Sequence, residues 1–298
     1  MVRIEKLYKS YKLHRVLNGL DMHVKKGDVY GFIGENGSGK TTTMNILCNI
    51  IKKDTGLITL NGGNEYRIGY LPESPTLFTY MNAHQYLEYI GACCEYPGDI
   101  KARNEELLKL VNLTDAANRK IKGYSRGMNQ RLGLAAAIYM DPDIIILDEP
   151  TSALDPQGRA EVIKIILYLK SIGKTVILST HILSDVERVA DTVGILHGGV
   201  LIEQEDLATM LSNHSNNSIV ISPLAGNEQI HNKIMEIDFG NVTPAANGSY
   251  EIQVNDIEQD GVKLQNYLKE NDINLAGYYV NRVTLEDIYL KAVGNNAN

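Results

Sequence analysis

The chain has 298 residues, 44% hydrophobic and 22% charged, the proportions of a packed protein with two domains or one large domain and an appendage. That balance excludes collagen-like, coiled-coil and disordered chains. With 29 basic against 36 acidic residues the net charge is −7, which argues against a general reader of nucleic-acid backbones.

In chain order, the first segment reads as strands, Val2 to Leu7 and Leu20 to Val24. Lys26-Gly27-Asp28 is a turn signal, and Val29 to Ile33 is a short apolar run typical of a buried strand. A glycine-rich loop follows, Gly34 to Gly39, and Thr41 to Leu47 opens a helix. Leu57 to Leu60 and Ile68 to Leu71 are further strands, the second stopped by Pro72. From about residue 73 to 140 the texture turns helical: Tyr86, Leu87, Tyr89, Ile90 and Cys93 fall near a 3.6 period, Glu105 to Val111 is amphipathic, and Gln130 to Tyr139 is rich in Leu and Ala.

Ile144-Ile145-Ile146-Leu147 is a run bounded by charge, as in a parallel strand covered on both faces. Arg159 to Ser171 and Leu183 to Ala190 read as helices, Thr175 to Ser179 and Val193 to Leu196 as strands. The alternation implies an α/β layer fold. The polar stretch 212–218 is a linker candidate. Beyond it, Ile219 to Ser222, Tyr250 to Val254 and Asn274 to Val283 read as strands, and Gln229 to Ile237 and Asp256 to Glu270 as helices. The expected organisation is therefore a domain over 1–211, a linker over 212–218 and a small α+β domain over 219–298.

No apolar run approaches the ~18–20 residues that cross a bilayer, and Met1-Val2-Arg3-Ile4-Glu5 lacks the apolar core of a secretion signal. The expected location is the cytosol. Cys48, Cys93 and Cys94 fit it and are expected as small buried thiols.

Gly34-Glu35-Asn36-Gly37-Ser38-Gly39-Lys40-Thr41 matches the phosphate-loop pattern G-x-x-x-x-G-K-[ST] in full. Glycines at Gly34, Gly37 and Gly39 let the backbone N–H groups of the loop, Asn36 and Ser38 among them, turn toward phosphate oxygens. The following helix adds its positive end. Lys40 reaches the outer phosphates, the Thr41 hydroxyl can ligate Mg²⁺, and Thr42 can bond an inner phosphate. Asp148, at the end of the apolar strand, can hold Mg²⁺ through water, and Glu149 beyond it can polarise an attacking water.

With those two motifs in place the chain resembles the ATP-binding subunits of ABC transporters. Tyr124-Ser125-Arg126-Gly127-Met128-Asn129-Gln130-Arg131 is similar to the family's signature segment. Ser125, Gly127, Gln130 and Arg131 keep the common form; Tyr124, Arg126 and Met128 depart from it. Ser152-Ala153-Leu154-Asp155 resembles the D-loop, and Ser179-Thr180-His181 the strand end that carries a switch histidine. The resemblance covers residues 1 to about 210. It implies a phosphate-loop NTPase core with a parallel sheet, an antiparallel β subdomain and a helical subdomain. It also implies an ATP-hydrolysing homodimer with ATP and Mg²⁺ as cofactors and no nucleic acid as partner.

Carried over residue by residue, Ser125 and Gly127 bind the γ-phosphate held by the opposing subunit. His181 orients that phosphate and the water beside Glu149, Asp155 links the two sites, and Tyr11 stacks on adenine, with Tyr8 as its competitor. Glu73 stands where many relatives have a Gln, a form similar to exporters of the bacitracin-resistance and lantibiotic-immunity type, and adds a hard oxygen ligand for Mg²⁺.

A separate membrane permease is implied, with the chain peripheral to the inner membrane face. Its docking surface would lie in the helical segment, where Tyr80, Tyr86 and Tyr89 stand open between interface and core. Residues 283–289 resemble the closing helix of the exporter group, and the C-terminal part is open between a brace and a regulatory ligand site. The competing class is an ABC ATPase acting on nucleic acid or ribosomes. Such proteins usually carry tandem cassettes, zinc motifs or coiled-coil insertions, and none is present.

Overall fold

The computed structural model describes residues 1–214, 217–224, 228–281 and 283–296. The chain opens with β1 (Val2–Tyr11), β2 (His14–Val24) and β3 (Val29–Gly34), then α1 (Lys40–Leu47), β4 (Thr55–Leu60) and β5 (Ile68–Leu71). Three helices follow: α2 (Ala83–Cys93), α3 (Ile100–Leu110) and α4 (Arg126–Ala137). The α/β alternation resumes with β6 (Ile144–Asp148), α5 (Pro156–Ser171), β7 (Thr175–Thr180), α6 (Leu183–Val189), β8 (Thr192–His197), β9 (Val200–Asp206) and α7 (Leu207–Asn213).

The main sheet has six strands in the order β5-β6-β7-β3-β8-β9. It is parallel except for β9, which pairs antiparallel with β8 at the edge. Strand β6 explains its own sequence. Ile144 and Ile146 join one hydrophobic core, with α1 and the antiparallel sheet β2-β1-β4, while Ile145 and Leu147 join the other, with the helices. Alternate side chains face opposite layers, so a strand sandwiched between two cores is apolar throughout. The α/β class with parallel sheet, antiparallel β subdomain and helical insertion is as the sequence implies.

The helices end where their chemistry says they should. Asn82 caps α2 and exchanges bonds with Gln85, Asp99 caps α3, and Asp155 caps α5 just before Pro156. Strand β9 was missed because its run Glu203-Gln204-Glu205-Asp206 is polar, which an edge strand tolerates. The cysteine expectation fails: Cys48 is half-buried, and Cys93 and Cys94 are exposed. The buried stripe of α2 ends at Gly91, and its last turn runs beyond the core.

The chain divides into two compact units, one made of Met1–Thr209 with Tyr289–Asn298, the other of Met210–Ile288. The second contains β10 (Ser218–Pro223), α8 (Glu228–Met235), β11 (Asn241–Pro244), β12 (Tyr250–Gln253), α9 (Ile257–Glu270) and β13 (Leu275–Asn281); α10 (Leu285–Asn296) closes the chain. The sequence reading lacked β11. The strand order β11-β12-β10-β13, antiparallel at every step, is the split βαβ arrangement of ferredoxin-like domains. Its core sets Ile219, Ile221 and Ile252 against Ile234, Leu264 and Leu268 of the two helices. Of the stretch 212–218, Ser215 and Asn216 lie outside the described residues.

Candidate active site

Beyond β3 the loop 34–39 bends back on itself before α1. Two glycines are dictated by space: a Cβ on Gly34 would stand 2.5 Å from the Leu196 carbonyl, and one on Gly39, at φ 112°, 2.6 Å from Leu17. The Ser38 N–H bonds the Glu35 carbonyl at 3.2 Å, and Thr43 N–H returns to the Gly39 carbonyl at 2.9 Å. The first turn of α1 holds no acidic residue. The result is a tight cradle beside a helix start, with the electrostatics that suit an anion.

Lys40 is buried and donates to the carbonyls of Gly34 (2.7 Å) and Glu35 (3.1 Å) within its own loop. Burial pulls its ammonium below the ordinary lysine range, and the charges of Glu149, Asp148, Glu73 and Glu35 oppose that shift. Two buried oxygens, Ser38 Oγ in the loop and Glu149 Oε1 beside it, close no hydrogen bond. Buried polar atoms without hydrogen-bond partners are rare, and Glu149 lines a cavity in which one could be supplied.

The acidic side of the site comes from β6 and β7, paired so that Asp148 lies opposite Ser179. The Ser179 hydroxyl donates to Asp148 Oδ1. Glu149 follows in left-handed backbone at φ 48°, its N–H tied to the Ser179 carbonyl at 2.9 Å. A non-glycine residue there carries strain that the surrounding structure must hold. Its Oε2 accepts from Thr180 Oγ1 at 3.2 Å and lies 2.9 Å from His181 Nδ1, while Lys40 Nζ stands 3.8 Å from Oε1. A carboxylate only accepts, so Nδ1 carries the proton of that pair.

One cavity of about 530 Å³ brings together Lys40, Thr41, Thr42, Glu73, Glu149 and His181 with Asn36, Gly37 and Gly39. His14, Val16 and Ser152 complete its wall. Asp148, Gly34 and Ser38 are buried and are not part of that lining. Tyr11 is half-exposed outside the lining, with Lys9 Nζ 5.3 Å from its ring centroid. Ser125 and Gly127 are not part of the cavity. They form the tip of α4, where the Ser125 hydroxyl accepts from Met128 N–H at 3.2 Å.

Sequence reasoning missed Ser179 and Thr180 as holders of the two acids. Their signal was present as hydroxyl residues at the end of the strand beside Asp148 and Glu149. It also missed His14 and Val16, which no motif marks. A larger cavity of about 660 Å³ lies between the end of α1 and β4, lined by Ile46, Ile58, Lys52 and Lys53. It contains no acid or histidine, so the chemistry belongs to the smaller one. Among the described residues no three or more His, Cys, Asp or Glu side chains gather to hold a metal without other ligands.

The layered sheet, the glycine cradle and the paired acids define a phosphate-loop nucleotide-binding protein. A family model described as ABC transporter matches residues 17–152. The uncharacterized ABC transporter ATP-binding protein YxlF of Bacillus subtilis is 33% identical over 98% of this chain and 99% of its own length. The bacitracin transport ATP-binding protein BcrA of Enterococcus faecalis is 29% identical over 99% of this chain and 96% of its own. The lantibiotic transport ATP-binding protein SrtF of Streptococcus pyogenes is 37% identical over 74% of this chain and 98% of its own. The dimeric post-hydrolysis structure of the ATP-binding cassette MJ0796 bound to ADP and Pi superposes with a TM-score of 0.63, at 26% identity over 70% of this chain and 99% of that one. The chain belongs to the family of ABC transporter ATP-binding proteins. Among the described residues no helix is long and apolar enough to cross a membrane.

Proposed function

We propose that this chain hydrolyses ATP between two copies of itself and drives export through a separate permease at the inner face of the membrane. The observation that carries the reading is the division of the site. One cavity gathers Lys40, Thr41, Thr42, Glu149 and His181, while Ser125 and Gly127 lie at an exposed helix tip outside it. A second copy would complete the cavity by presenting that tip. The dimeric form of the MJ0796 cassette supports this arrangement.

Within one chain, the N–H groups of 36–40 would hold the inner phosphates, and Lys40 would exchange its two loop carbonyls for phosphate oxygens. Thr41, Asp148 and Glu73 would hold Mg²⁺, which when bound would supply positive charge to the phosphoryl oxygens. Thr41 supplies a hydroxyl and Asp148 an acid turned by Ser179; Glu73 adds an oxygen from the end of β5. Glu149 would take the proton of the attacking water, and its strained backbone and three neighbours, Thr180, His181 and Lys40, fix where it points. His181 can bridge Glu149 and a phosphate oxygen only when both ring nitrogens carry protons. Tyr11 would stack on adenine from outside the cavity wall.

Export as the direction rests on the similarity to SrtF and BcrA, whose names give lantibiotic and bacitracin transport. The exposed Tyr80 and Tyr89, which flank Phe78 at ring separations of 5.9 and 5.1 Å, suit permease docking. Tyr86 belongs to the core instead.

The test is hydrolysis rate per subunit as a function of protein concentration, with mass measured in parallel. The rate should rise with the dimer fraction, and a constant rate in a demonstrated monomer ends the two-copy scheme. Glu73→Gln should keep most of the hydrolysis but shift the magnesium concentration that gives half the maximal rate. An unmoved magnesium curve removes Glu73 from the metal site.

A further inference from the structure

Two helices of the larger unit carry at their starts the residues expected to face a second copy: α4, capped by Ser125 and bearing Gly127, and α5, capped by Asp155. Their first turns nearly touch. A Cβ on Gly127 would stand 3.7 Å from Gly158 Cα, and one on Gly158 would stand 3.8 Å from Gly127 Cα. About one turn further along each helix the two are joined again, by an ion pair of 2.9 Å between Arg131 Nη1 and Glu161 Oε2. Two attachment points one turn apart fix both the spacing and the angle of the helices, as a single contact could not.

A third arm reaches the same carboxylate. Arg131 Nη1 also donates to the carbonyls of Val111 and Asn112, each at 2.7 Å, where α3 has ended. Asn112, in left-handed backbone at φ 54°, donates its side-chain amide to Glu161 Oε1 at 3.1 Å. Each oxygen of Glu161 thus has its own partner, and through this one acid the ends of the helical insertion are tied to α5, which packs against β7 of the main sheet. The Arg131 side chain is 10% exposed and that of Glu161 18%. A pair so sheltered is little screened by salt, and removing either partner leaves a charge without its counter-ion.

We propose that Glu161 is a positioning residue for the shared site: with Arg131 and Asn112 it locks the Ser125–Gly127 tip to the Asp155 turn, so that a chain presents both to its second copy as one piece. This rests on the two-copy reading of the site. Glu161 is not part of the cavity that holds Lys40 and Glu149, so it acts only through the two helices. Its signature is a split that a general loss of folding would not give. Assembly of two copies suffers, while binding within one chain does not.

The experiment uses the full chain carrying Glu149→Gln, so that bound ATP is not consumed, alone and combined with Glu161→Gln or Asn112→Gly. Sedimentation in ATP and Mg²⁺ gives the dimer Kd, and titration with a fluorescent ADP analogue measures the cradle of one chain. Glu161→Gln should raise the dimer Kd about tenfold and leave the ADP Kd within about twofold. Asn112→Gly keeps the left-handed backbone and removes only the third arm, so it should raise the dimer Kd about threefold. An unchanged dimer Kd in Glu161→Gln, or an ADP Kd that rises as far as the dimer Kd, overturns the proposal. If Glu161→Gln does not fold, Asn112→Gly decides by the same two criteria. A Glu149→Gln chain that stays monomeric in ATP and Mg²⁺ overturns the two-copy reading itself, a failure distinct from a dimer that ignores Glu161.

Discussion

Buried polar side chains meet different fates in the two units of this chain. In the smaller unit, buried Ser218 donates to Glu251 at 2.6 Å, and buried Asp260 accepts from Asn255 N–H, Asp256 N–H and Lys263. In the larger unit, Ser38 Oγ, Glu149 Oε1 and Thr151 Oγ1 are among the buried atoms that close no hydrogen bond. All buried orphans among the described residues belong to that unit. A fold does not leave such groups bare for stability, since each costs about 1–3 kcal/mol. Of these, Glu149 lines the cavity beside Lys40, where a bound ligand would meet it.

The sharpest way to break this comparison is Glu149→Gln. The amide cannot take a proton from water, so hydrolysis should fall by about 10²-fold or more while nucleotide still binds. Rapid-quench turnover beside an equilibrium titration separates the two. Near-normal hydrolysis would mean that the bare Glu149 oxygen is not waiting for water.

The opposite expectation holds in the smaller unit. Ile252 is wholly buried in its core, and Ile252→Ala should cost about 2–4 kcal/mol of that unit's stability. Denaturant unfolding measures it. A cost near zero would show that this unit is not held by its own core.

The larger unit was more legible in the sequence for the same reason that it carries the chemistry. A phosphate cradle demands glycines where a Cβ would meet Leu196 or Leu17, a lysine at the first position of the helix, and acids at the end of a doubly covered strand. Those demands write a motif. The alternation of Ile144 to Leu147 between two cores likewise left a run that could be read directly. Ser179 and Thr180 were hidden because their role depends on β7 lying beside β6, a pairing between residues some thirty positions apart. In the smaller unit, β11 escaped because Asn241-Val242-Thr243-Pro244 is a short edge strand with one inward apolar residue.

The smallest expected effects are those of pH, and they run in opposite directions in the two units. Burial lowers Lys40, so in the folded, ligand-free chain its proton is lost at a lower pH than in an ordinary lysine. Phosphate oxygens would restore that proton. Nucleotide affinity should therefore fall as pH rises through the lowered value, by at most about tenfold per pH unit, with proton uptake on binding in that window. Calorimetry in buffers of different ionisation enthalpy detects the uptake; its absence would mean Lys40 does not meet the phosphates.

Glu251 is the acid-side counterpart. Hydrogen bonds from Ser218 and then Asn281 hold its carboxyl below the ordinary range. Its folded value is depressed, so its contribution is full above the unfolded value and is lost as pH falls through the folded one. The melting midpoint of the smaller unit should decline in that acid window, and Glu251→Gln should flatten the decline slightly, since the group is only partly buried. An unchanged acid profile would assign the loss to other carboxylates, with Asp260, bonded to Lys263 and two backbone N–H groups, first among them.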